Sequence, residues 1–312
     1  PIRYETNITT GENNQIGTLE IMEEAEALVL EKTFKKLEEA IEYANTKVGQ
    51  DGSQVEILLL KNIQKENTVS IDNKKNILLN LNGYSLYCSN TEKGIENNGK
   101  LEITNEIKIN GNETDQGILQ SSSKKGIIND LEGNLKIKNV LIEANEGNLQ
   151  LIYNNGNLLV DGGTIQSDYN LPIYNEQGEI TVEKGNIKNN RSTYNNETLS
   201  STIYSSSPKK VIINGGYIYN NCSTYGMGIG INIINGTLEI NGGTITNSDP
   251  NSKNGYSIKA YRSNLENTGR VIINDGEIEK PFYIYSYDCE INGGNFKGEN
   301  YYNYNYIVNK YI

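Results

Sequence analysis

The chain has 312 residues, with 28 Lys plus Arg against 39 Asp plus Glu and a formal charge of −11. So acidic a surface repels a phosphate backbone, and nucleic acid is the first partner class to set aside. His and Trp are both absent; without His there is no imidazole acid–base chemistry, no Ser-His-Asp or Cys-His nucleophile and no HExxH zinc site.

The three cysteines, Cys88, Cys222 and Cys289, lie far apart and without CxxC spacing, so neither a zinc knuckle nor a disulfide scaffold is expected. No apolar run approaches the roughly 18 residues of a membrane-spanning helix, and membrane insertion is not expected. The chain starts at Pro1 with no charged-then-apolar leader, so a secretion signal is expected to be absent or removed.

Residues 1–32 carry no repeat and read as an extension or the tail of a preceding module. Residues 33–48 read as an amphipathic helix, with Thr33 as N-cap, Phe34, Leu37, Ile41, Ala44 and Val48 on one stripe, and Gly49 as stop. With its turn, 33–54, it is expected to cap the N-terminal end of the repeat region.

From residue 55 onward a repeat sets the architecture. Its template is an apolar residue, a second one two positions on, a Gly-containing turn, and a third apolar residue seven positions after the first. Clear copies are Leu158-Val160-Ile165, Val211-Ile213-Ile218 and Leu238-Ile240-Ile245; further ones are Leu79-Leu81-Leu86, Leu135-Ile137-Ile142, Ile180-Val182-Ile187, Val271-Ile273-Ile278 and Cys289-Ile291-Phe296. Leu101-Ile103 fits two slots but puts Lys108 in the third. The spacing of two is strand alternation, and Gly-Gly or Asp-Gly supplies a sharp corner.

An Ile-x-Asn or Ile-x-Ser element precedes most copies, at Ile71-Asn73, Ile95-Asn97, Ile127-Asn129, Ile152-Asn154, Ile173-Asn175, Ile203-Ser205 and Ile284-Ser286. Both outer members of each triplet point inward, so stacked coils align the amides in a column where each bonds the next. The coils stack as parallel strands about 4.8 Å apart. The prediction is an all-β, right-handed parallel β-helix solenoid over 55–312, with an N-terminal amphipathic capping helix and a Tyr-rich C-terminal cap in FYIYSYD and YYNYNYIVNKYI.

The IYNNGNLLVDGGTI stretch, Ile152 to Ile165, and its relatives at 203–218 and 231–245 resemble bacterial surface and secreted β-helix repeat proteins of the pectin-lyase-like superfamily. The resemblance covers about 55–312 and implies an extracellular or cell-surface bacterial protein. Members of that group include lyases, hydrolases, adhesins and tailspikes, so the resemblance carries fold further than activity.

The middle of the Ile-x-Asn triplet points outward. It is Tyr at Tyr153, Tyr174 and Tyr204, with Tyr285 expected in the same slot. One reading is a ligand-binding platform for a polysaccharide or surface glycan; the other is a stacked ladder that stabilises the sheet. A second outward column runs Lys138, Asp161, Glu183, Asn214, Asn241, Asn274, Asn292. Asp161 and Glu183, as neighbours in adjacent coils, are the candidate catalytic carboxylates of a retaining glycosidase, and Asp130 with Glu176, two coils apart, suit an inverting one. The other reading of Asp161 and Glu183 is a solvated acidic face partly neutralised by Lys138. The Asn run reads as corner residues bonded to their own backbone. No cofactor is expected. Ca²⁺ remains open, but the four Arg, at 3, 191, 262 and 270, sit beside no column of acids and no DxDxDG loop is present. These features favour a non-catalytic, adhesin-like module binding glycan or a cell-surface protein. The alternative is a polysaccharide lyase or glycoside hydrolase using outer-face carboxylates.

Overall fold

The computed structural model describes residues 24–47, 52–108, 111–113, 116–191, 200–221, 228–247, 255–261, 269–285 and 288–297 in full, and 2–10, 13–21, 302–303 and 306–307 in backbone. The protein is an all-β solenoid of parallel strands. Each coil contributes one strand to each of three columns, here called the first, second and third faces in chain order. One coil, for example, runs Gln150–Asn154, then Asn157–Val160, then Thr164–Ser167, and returns to Leu171–Asn175 on the first face.

The core follows from the alternation. On the first face Ile95, Ile127, Ile152, Ile173, Ile203, Ile231 and Ile258 stack in register and none is exposed. Fully burying one such side chain stabilises by about 1.5–3 kcal/mol. The second and third faces close the same core with Leu101, Leu135, Leu158, Ile180, Val211, Leu238 and Val271, and with Leu119, Ile142, Ile165, Ile187, Ile218 and Ile245.

The corner after the first face holds the expected amide column. Asn97 donates to Asn129 Oδ1 at 2.8 Å, Asn129 to Asn154 at 2.7 Å, Asn154 to Asn175 at 2.8 Å, and Asn175 to Ser205 Oγ at 3.0 Å. The same amides reach main-chain carbonyls of the next coil, Asn129 to Asn157 O and Asn154 to Glu179 O. They thereby tie the corner to its neighbour. Gly156 is required beside this column, because a Cβ there would overlap the Gly133 carbonyl oxygen. At the next corner Gly163 has φ +80°, and a Cβ there would run into the Val140 carbonyl.

Four register details differ from the sequence reading. Leu101 lies opposite Ile77, not Leu79, so the first copy begins two residues earlier. The third slot of the Leu101 copy is filled by Leu119 after an insertion, and Lys108 instead pairs with Glu56 at the surface. Ile71, not Asn73, faces Asn97, so the amide column starts at Asn97. At the far end Tyr283 aligns with Lys259 and Ile284 with Ala260, which takes Tyr285 out of the expected slot, while Ser286 lies outside the described residues.

The described helix is Leu37–Lys47, shorter than 33–48; Val48 and Gly49 lie outside the described residues. Thr33 and Phe34 belong to the strand Lys32–Phe34, and the carboxylate of Glu26, not the Thr33 hydroxyl, accepts the Leu37 N–H at 2.8 Å. Leu37, Ala40, Ile41 and Ala44 are buried in the coil core. Strand Ala27–Val29 pairs antiparallel with both Lys32–Phe34 and Val55–Leu59, so the boundary drawn at 32 falls within a hairpin at the sheet edge. Strands Ile2–Thr10 and Asn13–Ile21 form a separate antiparallel hairpin.

Lys65, buried at the end of a third-face strand, bonds Glu38 on the helix at 2.6 Å. Burial pulls the Glu38 carboxyl upward, but the hydrogen bond and charge of Lys65 outweigh it and hold the group below the ordinary glutamate range. A lowered folded value means that this contribution is complete above the ordinary range and is lost as pH falls through the folded value. The stability gap between the wild type and Glu38→Gln, followed by urea titration, is therefore expected to shrink on acidification. A gap independent of pH would remove the linkage.

Asn154→Ala is expected to destabilise by about 2 kcal/mol or more, because it leaves Asn129 Nδ2 and Asn175 Oδ1 buried with a lost partner. Denaturant unfolding measures it, and a cost of a few tenths would make the column incidental.

Candidate functional site

The outward positions of the first face read, coil by coil, Ser70, Glu96, Ile128, Tyr153, Tyr174, Tyr204, Asn232, Lys259 and Tyr283. The strands impose this column because their Ile neighbours are committed to the core. Tyr153 stacks on Tyr174 and Tyr174 on Tyr204, each pair with centroids 5.3 Å apart and planes inclined by 11° and 18°. Both faces of Tyr174 are thereby occupied. Lys125 lies 3.3 Å from the centroid of the Tyr153 ring, and Tyr204 is only 7% exposed. The ring faces between these tyrosines are therefore covered by one another, and Lys125 lies over the Tyr153 ring.

Charged groups gather at the Tyr153 end. The Tyr153 hydroxyl donates to Glu176, and burial first, then that carboxylate, push its phenol above the usual tyrosine range. Asp130 and Glu176 each follow an amide of the inner column and are two coils apart, as expected, with Asn155 between them. Burial, and then the charge of Glu96, raise the Asp130 carboxyl against the opposing pull of Lys93 and Lys125. Lys93 bonds Glu96 at 2.5 Å.

Asp161 and Glu183 are not brought opposite one another. A bulge shifts the register after Val160, so Asp161 aligns with Lys184. Its carboxylate lies 3.3 Å from Lys184 Nζ and 3.9 Å from Lys136 Nζ. Lys138, expected to neutralise it, instead bonds Glu106 at 3.1 Å. Glu183 accepts the Asn214 amide at 2.9 Å. From there the outer Asn column continues as a second ladder, Asn241 to Asn214 at 2.8 Å, Asn274 to Asn241 at 2.7 Å and Asn292 to Asn274 at 2.8 Å. These amides bond between coils, not to their own backbone, and none has positive φ. The turn is made by the glycines beside them.

Two features carry no motif. A shallow depression of about 390 Å³ on the second face is lined by Lys100, Glu102, Asn134, Lys136, Asn157 and Leu159 among others. On the first face Asn232 occupies the Tyr slot, is 1% exposed, and has neither side-chain atom hydrogen-bonded. The signal for its placement is the pair Ile231 and Ile233 on either side, which sends residue 232 outward. Among the described residues no group of three or more acids or thiols is arranged to hold a metal ion. Comparison with known families, curated proteins and solved structures found no match.

Cys88 and Cys289 are buried in the core, with burial pushing each thiol up to about 12. Cys88 lies within the strand Leu86–Cys88, and Cys222 is outside the described residues. In a Cys222→Ser background, neither remaining thiol is expected to react with a thiol reagent at pH 8 until denaturant is added. Rapid labelling of the native protein would contradict that burial.

Proposed function

We propose that this chain is a non-catalytic, adhesin-like module of the bacterial cell surface or its secreted fraction, and that its first face holds a glycan. The observation that carries this reading is the stacked Tyr153–Tyr174–Tyr204 column with Glu176 and Lys125 at one end. It is a rigid strip of phenol groups with donors and acceptors held in place, the arrangement that polar recognition of a sugar chain uses. The lyase or hydrolase alternative loses support because Asp161 and Glu183 are turned to Lys184 and Asn214, not to each other. Ca²⁺ plays no part in the proposed binding.

In the same reading the solenoid is a right-handed parallel β-helix of the pectin-lyase-like kind. Handedness rests on the strong bias of parallel crossover connections. The helix Leu37–Lys47 serves as its cap, a role supported by its four residues buried in the coil core. An end cap protects an exposed strand edge from pairing with another chain.

The triple variant Tyr153→Phe, Tyr174→Phe, Tyr204→Phe keeps the stack and removes the hydroxyls. It is expected to retain its melting temperature within a few degrees and to lose most binding on a glycan array, while Asp161→Asn and Glu183→Gln bind as wild type. Unchanged binding by the triple variant would overturn the assignment. Product release from a polysaccharide panel that Asp161→Asn abolishes would move the protein to the enzyme class.

A further inference from the structure

We propose that the depression on the second face is a slot for a second ligand, an oligosaccharide with one anionic sugar at the end near Lys74 and Lys100 and neutral sugars along the rest. This goes beyond the first-face reading and does not depend on it.

Strand alternation builds the slot. Asn76, Lys100, Asn134, Asn157 and Glu179 open successive strands of the second face and stand in register. They point outward because the residue after each is buried in the core. The outward residues two positions on, Glu102, Lys136, Leu159 and Thr181, line the opposite side. The two rows are about 7 Å apart along the strands, and four coil intervals of about 4.8 Å make the slot about 19 Å long. Its volume of about 390 Å³ is that of a ligand cleft. It opens directly to solvent, since Lys100, Asn134 and Asn157 are exposed. At the Asn76 end it runs into a smaller depression of about 150 Å³, which shares Asn76, Lys100 and Asn134 with it and adds Lys74 and Lys75.

Charge identifies the anionic end. Along the second face and its far corner, Lys136, Lys138, Lys184 and Lys210 each pair with a carboxylate. Lys74, Lys75 and Lys100 form no ion pair among the described residues, and Lys75 Nζ rests on the Asn45 carbonyl at 3.0 Å. Glu132, the acid at this corner, accepts instead from Asn73. Lys74 also sits at φ +64°, in the left-handed region where Gly or Asn is the ordinary residue, so backbone preference does not put a lysine there. Three such ammonium groups around one depression, in a chain of charge −11, draw an anion to that end. Further along the acids take over. Glu179 has no ion pair among the described residues, and Glu102 shares Lys136 with Asp161. They repel a second anionic sugar, so a uniformly acidic polymer does not fit. Between the ends, the amides of Asn134 and Asn157, joined at 3.0 Å, meet hydroxyls, and the half-buried Leu159 takes the C–H face of a sugar. A pyranose chain advances by nearly one coil per sugar, so each sugar meets the same two rows. An extended peptide advances about 3.3 Å per residue and falls out of step with coils about 4.8 Å apart.

The test is titration calorimetry on the full chain with four probes: a neutral tetrasaccharide ended by one sialic acid, the same tetrasaccharide ended by one sulfated sugar, the tetrasaccharide alone, and a galacturonate pentamer. The expected result is that a capped probe binds about tenfold or more tighter than the uncapped one, and that the pentamer does no better than the uncapped one. The tighter of the two caps names the anionic group, carboxylate or sulfate. The variant Lys74→Gly, Lys100→Gln, with a glycine that suits the left-handed turn, is expected to keep its melting temperature and to bind the capped probe about tenfold or more weakly. The triple Tyr→Phe variant of the first face is expected to bind it as the wild type does, which separates the two sites. Equal affinity for capped and uncapped probes, tightest binding by the pentamer, or binding of none of the four overturns the slot. So does wild-type affinity in the lysine variant, or loss of the capped probe in the tyrosine variant. None of these outcomes bears on the glycan array, which decides the first face. The comparison of probes on the wild type stands even if the lysine variant fails to fold.

Discussion

The middle of this solenoid depends on one arrangement: an amide at the corner after the first face, in the four coils from Asn97 to Asn175, that can bond only because the next coil repeats it or, at the end, supplies Ser205. The corner turns the chain through the core, where unpaired carbonyls are costly. Asn97, Asn129, Asn154 and Asn175 meet that cost together, each bonding the next amide, and Asn129 and Asn154 also bond a main-chain carbonyl of the following coil. The column couples nearest neighbours, which is the interaction that makes a solenoid cooperative along its length. Its bonds all point toward the C-terminal end, whereas the outer Asn column runs the other way and ends on the Glu183 carboxylate. The two rows of amide dipoles oppose one another, so neither builds a large field along the axis.

The core was legible because an aliphatic residue at every second position leaves few alternatives. Its limits were set by the same period. Ile77-Leu79-Leu81 alternates without a break, so a shift of two residues leaves the local string unchanged, and only stacking against Leu101 and Ile103 chooses Ile77. Ile71-Asn73 and Ile284-Ser286 match the triplet locally, yet Val69 and Phe282 fill the Ile slot equally well and the neighbouring coils prefer them. Lys108 stood in for Leu119 because the length of an outward insertion leaves no periodic trace.

The outer face was harder to read for a related reason. Inward residues answer to two neighbours and a shared core, while outward ones answer only to those beside them. Asp161 and Glu183 are adjacent by count, but a bulge of one residue at a Gly-Gly corner exchanges Glu183 for Lys184 as the partner. Tyr153, Tyr174 and Tyr204 stand in the column and Tyr285 does not, and what the sequence did not carry is that the three spend their faces on each other. Sugar recognition by ring stacking needs an uncovered face, so the column contributes through hydroxyls and edges.

That constraint explains why the first face changes character after Tyr204. A fourth tyrosine would extend the ladder and cover one more ring face. Asn232 ends it instead, and leaves a buried donor–acceptor pair beside the last ring. The buried oxygens of Thr104, Ser123, Asn148 and Asn247 also lack a partner, but Asn232 lacks one at both amide atoms.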